Sequence, residues 1–121
     1  MAKRVLVVDD HPLLREVQVL LLREAGYAAT ALSGAREALG RLADLRPDLI
    51  VLDLSMPDMN GYQFLRRLRA EDAWSEVPVI VASGLTSEEM EPIVEHDCDV
   101  LAKPFTDVAL LSSVRRLIGE A

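Results

Sequence analysis

Five polar side chains stand where short apolar runs end. Asp9 and Asp10 follow Arg4–Val8, Asp53 closes Leu49–Leu52, Ser83 follows Val77–Ala82, and Lys103 follows Val100–Ala102. Three carboxylates drawn together repel one another, and their ionised forms need compensation. A hard divalent cation with oxygen ligands provides it, and Mg2+ typically takes one or two carboxylates while keeping positions for water and phosphate oxygen. In that setting Asp53 could attack phosphorus. A carboxylate is a weak nucleophile, so catalysis would rest on positioning and charge stabilisation. Lys103 offers a compact positive charge for one phosphoryl oxygen, Ser83 offers a hydroxyl for another, and Gly84 leaves space beside it. Singly, each residue has an ordinary explanation: a solvated turn, a serine bonding its own backbone, a surface lysine. The joint placement at strand ends carries the chemical reading.

The elements that must position these groups are short β-branched runs alternating with longer helical periods, the pattern of βα units in a parallel sheet. Arg4–Val8 reads as the first strand, and Leu14, Val17 and Leu21 then recur at helical spacing up to a stop at Gly26. Tyr27–Ala31 is a weaker second strand, and Ser33 is a plausible N-cap for a helix presenting Ala35, Ala38, Leu39 and Leu42. Leu49–Leu52 is a continuous apolar run, as expected of a central strand covered on both faces. After the loop from Leu54 to Gly61, Phe64, Leu65 and Leu68 mark a third helix, and Val77–Ala82 a fourth strand. Thr86 and Glu89 could form a capping box for a short fourth helix that Pro92 shortens or kinks. Val100–Ala102 is a brief fifth strand, and Thr106 caps a last helix carrying Leu110, Leu111, Val114, Leu117 and Ile118. Strict alternation predicts an α/β fold, a five-stranded doubly wound parallel sheet in a three-layer sandwich. In open sheets of this kind functional groups gather at the carboxyl ends of the strands.

A chain of 121 residues, half of them apolar, is one domain with one sizeable core. Aromatics are only 4%, so Leu, Val, Ile and Ala must fill that core. The net charge of −7 repels a nucleic acid backbone and argues against direct nucleic acid binding by this chain. The single Cys98 can form no internal disulfide, which fits a reducing compartment. The first ten residues resemble neither a signal peptide nor a membrane anchor, so the expected location is cytoplasmic, away from the membrane.

Val7-Val8-Asp9-Asp10, Asp53-Leu54-Ser55-Met56-Pro57 with Gly61, Val79-Ile80-Val81-Ala82-Ser83, and Lys103-Pro104-Phe105 together resemble the successive motifs of bacterial response-regulator receiver domains. The resemblance covers nearly the whole chain, 1–121, and implies a flavodoxin-like (βα)5 fold. It implies that Asp53 is the phosphoacceptor, that Asp10, Asp53 and the backbone carbonyl of Ser55 hold Mg2+ directly, and that Asp9 acts through water. Ser83, Gly84 and Lys103 would surround the phosphoryl group, and Pro104 would follow Lys103 through a cis peptide bond. The phosphoryl group would come from a phosphohistidine on a sensor histidine kinase or a histidine phosphotransfer protein. Phosphorylation would then switch the surface around the fourth helix, fifth strand and fifth helix. Such a domain is a phosphoacceptor switch, not a turnover enzyme. It phosphorylates itself from small donors and dephosphorylates itself at rates influenced by the positions of Ser55 and Leu85. Three departures bear on output: Val100 stands where an aromatic is usual, the segment from Ser83 to Lys103 is short and has Asp97-Cys98-Asp99 in place of a common Gly-Ala, and Gly84 replaces a usual alanine.

Two other functions fit parts of the pattern. Aspartate-nucleophile phosphatases commonly carry a second acid two residues after the nucleophile, and Ser55 occupies that position. A phosphorylation-independent interaction module would be expected to lose the acids or the lysine, and all are kept. His11 reads as a polar residue opening the first helix in preference to a metal or phosphohistidine site, and His96 as exposed at a helix end. Cys98 reads as a small buried or half-buried thiol, Trp74 as an anchor before the fourth strand, and Arg66, Arg67 and Arg69 as a solvated helix face first and a docking patch second. From Ala70 to Ala102 there is no Lys or Arg, while nine acids occur there: Glu71, Asp72, Glu76, Glu88, Glu89, Glu91, Glu95, Asp97 and Asp99. Symmetric pairing would bring like charges together, and the bases of this face, Lys103, Arg115 and Arg116, are few. The expectation is a monomer that offers its acidic fourth helix to a basic protein partner; the alternative is that these acids are only a solubilising surface.

Overall fold

The computed structural model of the chain describes residues 2–53, 59, 61–83, 98–103 and 105–121. Five strands, β1 (Arg4–Val8), β2 (Ala28–Leu32), β3 (Leu49–Asp53), β4 (Val79–Ser83) and β5 (Asp99–Ala102), form one sheet in the order β2-β1-β3-β4-β5. All four pairings are parallel. The strand limits agree with the sequence expectations to within two residues. Four α-helices are described: α1 (Pro12–Glu24), α2 (Ala35–Leu45), α3 (Gly61–Ala70) and α4 (Asp107–Ile118). The helix expected at Thr86 lies outside the described residues.

Side chains alternate across a strand, so each strand feeds two cores. Leu6, Val8, Ile50, Leu52, Val79 and Val81 face α2 and α3, where they pack with Ala38, Leu42, Phe64, Leu65 and Leu68. Val5, Val7, Leu49, Val51 and Ile80 face α1 and α4, where they pack with Leu22, Leu110 and Val114. Every residue of β3 is buried, as its unbroken apolar run requires. At about 1.5–3 kcal/mol for each large apolar side chain removed from water, these two layers are the main restraint on the strand ends.

Helix ends follow local chemistry. Thr106 is the N-cap of α4, its Oγ1 accepting the Ala109 N–H at 3.1 Å, as expected. Past α1 the chain turns through Gly26 at φ +98, a conformation that favours glycine. Two expectations need correction. Gly34, not Ser33, is the N-cap of α2, because the Gly34 carbonyl accepts the first helical N–H, from Ala38 at 3.1 Å. On α1, Leu14 and Val17 are 42% and 44% exposed, and the two fully buried residues are Gln18 and Leu22. Apolar residues nearly encircle this helix, so spacing alone does not single out the stripe that meets the sheet. Leu14, Val17 and partly buried Leu21 instead line a cleft of about 320 Å³ with Phe105 and Lys103.

Cys98 is half-buried and, with Trp74, packs against the α2–α3 core. Arg69 is not wholly solvated as expected: its guanidinium donates to the carbonyls of Trp74 and Val77 and fastens the turn before β4. Arg66 and Arg67 are exposed.

Candidate functional site

The strand order places the site. β1 and β3 are neighbours with Val8 level with Leu52, so the residues that follow, Asp9 and Asp53, emerge side by side. Asp53 is level with Ala82 of β4, and Ser83 with Ala102 of β5, immediately before Lys103. Parallel pairing therefore brings Asp9, Asp10, Asp53, Ser83 and Lys103 to one rim, where the strand order changes direction between β1 and β3. Ser55, Gly84 and Pro104, and with Pro104 the expected cis bond, lie outside the described residues.

Asp9 and Asp53 are 2% and 3% exposed. The Lys103 ammonium bridges them, 3.7 Å from Asp9 Oδ2 and 3.5 Å from Asp53 Oδ1. Asp9 is held on every side. Its Oδ1 accepts the His11 backbone N–H at 2.9 Å, its Oδ2 accepts from Gln18 Nε2 at 3.3 Å, and its carbonyl accepts from Arg15 Nη1 at 2.8 Å. Asp10 differs: its Oδ1 is buried and has no hydrogen-bond partner among the described residues.

The fold brings two further residues to the site: Gln18, which the sequence does not single out, and His11, which reads there as the residue opening the first helix. Gln18 is a buried polar side chain in the first half of α1, directed at Asp9. Its signal was a single amide among leucines and valines, which helical spacing treats as a solvent position. His11 is the N-cap of α1 and makes no side-chain capping bond. Its ring turns to the acids, and Asp9, Asp10, His11 and Asp53 each offer one ligand atom, all within 4.8 Å of one another.

Converging carboxylates that include a buried oxygen without a partner suit a divalent cation. A single bridging ammonium leaves the cluster with more negative than positive charge. Among the described residues, this acidic cluster could hold a metal ion. No helix among the described residues is long and apolar enough to cross a membrane.

Residues 5–115 match the family described as the response regulator receiver domain. The DNA-binding response regulator MtrA of Mycolicibacterium smegmatis is 36% identical over 118 residues, which are 95% of this chain and 50% of that protein. The chain thus spans about half the length of that relative. Among solved structures, a chemotaxis response regulator of Vibrio cholerae superposes with a TM-score of 0.91 at 29% identity, covering 98% of this chain and all of that one. The receiver domain of a sensor histidine kinase from Pseudomonas aeruginosa, with a magnesium ion coordinated in its active site cleft, superposes at 0.89 with 29% identity, covering 99% and 100%. The chain belongs to the response regulator receiver family, the phosphoryl-accepting domain of two-component signalling.

Proposed function

We propose that residues 1–121 act as one receiver domain in which Asp53 takes a phosphoryl group from a phosphohistidine of a sensor histidine kinase or phosphotransfer protein. The observation that carries the assignment is the position of Asp53. It ends the fully buried strand β3, is level with the end of β1 and its two acids, and lies 3.5 Å from the Lys103 ammonium. An Asp53 carboxylate oxygen forms the new bond to phosphorus as the N–P bond of the donor breaks and the imidazole leaves. Asp10, Asp53 and the Ser55 carbonyl would hold Mg2+ directly, and Asp9 would act through water. When bound, Mg2+ offsets carboxylate and phosphoryl charge. Lys103 meets one phosphoryl oxygen and the Ser83 hydroxyl another, with Gly84 beside it. Hydrolysis of the aspartyl phosphate resets the domain, at a rate set in part by the Ser55 and Leu85 positions. Incubation with acetyl phosphate and Mg2+ should add one phosphoryl mass to the wild type and none to Asp53→Asn. A phosphorylated Asp53→Asn protein would overturn the assignment.

For output, the reading is a cytoplasmic monomer that meets a basic protein partner. The bases available for symmetric pairing are already engaged within the chain: Lys103 with Asp9 and Asp53, Arg115 with Glu120, and Arg116 with Asp99. A net charge of −7 opposes nucleic acid binding by these 121 residues. Sedimentation of the beryllofluoride-activated protein at low salt should show a monomer, and a tight dimer would overturn that reading.

A further inference from the structure

His11 stands closer to the acid cluster than its place in the sequence suggests. Its backbone is held at both ends: the N–H donates to Asp9 Oδ1, and the carbonyl accepts the Arg15 N–H at 2.9 Å. Pro12 follows as the first residue of α1 and restricts the chain there. The ring is thereby aimed along the rim. Its Nδ1 lies 3.2 Å from Asp10 Oδ1, 3.4 Å from Asp9 Oδ1 and 3.9 Å from Asp53 Oδ2. The nearest of these oxygens, on Asp10, is buried and has no hydrogen-bond partner among the described residues despite the nitrogen beside it. Two atoms each bound about 2.1 Å from a common cation, at adjacent coordination positions, lie roughly 3.0–3.4 Å apart, and opposite ones about 4.2 Å apart. The 3.2 Å from Nδ1 to Asp10 Oδ1 falls in the adjacent range, and the 3.9 Å to Asp53 Oδ2 falls between the adjacent and opposite distances.

Building on the cation site proposed above, we propose that His11 Nδ1 is a further ligand in it, which makes this receiver selective for a first-row transition divalent ion such as Mn2+ over Mg2+. Magnesium demands near-octahedral oxygen and keeps its waters, whereas imidazole nitrogen suits the transition ions. Carboxylates from Asp10 and Asp53 with one imidazole form a mixed oxygen–nitrogen set that favours the latter. The ring is 60% exposed on its outer side, so it can adjust to the ion without repacking the core.

Pulsed electron paramagnetic resonance of the Mn2+-loaded chain tests this directly. The wild type should show 14N modulation from a bound imidazole, lost in His11→Phe and kept in His96→Phe, which controls for the second histidine. By titration, His11→Phe should weaken Mn2+ binding roughly tenfold while changing Mg2+ binding less than twofold. Mn2+ bound without 14N modulation, or a Mn2+/Mg2+ ratio unaltered by His11→Phe, would overturn the role of His11 and leave the cation site standing. Failure of the wild type to bind either ion would overturn the cation site itself.

Discussion

Replacing Asp53 with asparagine should make the metal-free protein more stable. Asp53 is buried, and ligand atoms of Asp9 and Asp10 lie within 4.8 Å of its own. At an effective dielectric of about 20, each like pair at that spacing costs about 3.5 kcal/mol, or about 7 kcal/mol for both. The Lys103 ammonium, 3.5 Å away, returns about 4.7 kcal/mol on the same scale. On these three pairings alone, the Asp53 carboxylate is left roughly 2 kcal/mol unfavourable, before the cost of its desolvation. An isosteric neutral amide removes that balance, so Asp53→Asn should gain about 2 kcal/mol, or roughly 8 °C in Tm for a chain of this size. Urea unfolding followed by circular dichroism in EDTA measures it. Adding Mg2+ to ten times its dissociation constant should stabilise the wild type by about 1.4 kcal/mol and the variant by much less, narrowing the gap. An Asp53→Asn protein less stable than wild type in EDTA would refute the argument from like-charge strain.

Asp10→Ala should weaken Mg2+ binding more than Asp9→Ala, as measured by titration of each variant, and equal or reversed losses would contradict the roles proposed for the two acids. Gln18→Leu should change stability by less than about 1 kcal/mol, since an apolar side chain replaces an amide whose buried oxygen has no partner among the described residues. It should nonetheless slow phosphorylation by acetyl phosphate severalfold, because Asp9 loses a donor; an unchanged rate would exclude a positioning role. Tyr27 is buried and donates to the Gly119 carbonyl at 2.6 Å; burial first, and then the Glu120 carboxylate, raise its pKa above the ordinary tyrosine value, against an opposing pull from Arg115. Above pH 10 the folded state therefore holds a proton that the unfolded state has released, and stability falls as pH rises from there through the folded pKa. Tyr27→Phe should flatten that alkaline decline in pH-dependent unfolding, and an undiminished slope would count against it.

The sheet was legible because burial on both faces leaves a strand few residue types to use. β3 is apolar up to its last residue, Asp53, and β1 after its first, Arg4, and both were located from their apolar runs. Their parallel register then followed from the alternation of elements, and register is what sets Asp9, Asp53 and Lys103 together. Helix faces were less legible. In α2 and α4 the apolar stripe is narrow and matches the buried set, Ala35, Ala38 and Leu42 in one and Leu110 and Val114 in the other. In α1 the apolar residues extend around the helix, and Leu14 and Val17 remain half-exposed while Gln18 is covered. No period of hydrophobicity finds a buried amide, because its burial is offset by one hydrogen bond to a partner nine residues away.

The same helix also sets the difference between the adjacent aspartates. Read from the strand alone, Asp9 and Asp10 are equivalent acids at the end of β1. The N-terminus of α1 separates them. The His11 N–H takes one oxygen of Asp9, Gln18 from the second turn takes the other, and Lys103 stands beside that second oxygen. Asp9 is therefore a carboxylate already surrounded by protein donors, with little left to offer a cation directly. Asp10, one residue later and 30% exposed, keeps a buried oxygen that no donor among the described residues fills. An inner ligand role for Asp10 and a water-mediated one for Asp9 thus have a physical basis in the capping of α1. A change to that cap, at His11 or Gln18, should shift the division between the two acids without touching either of them.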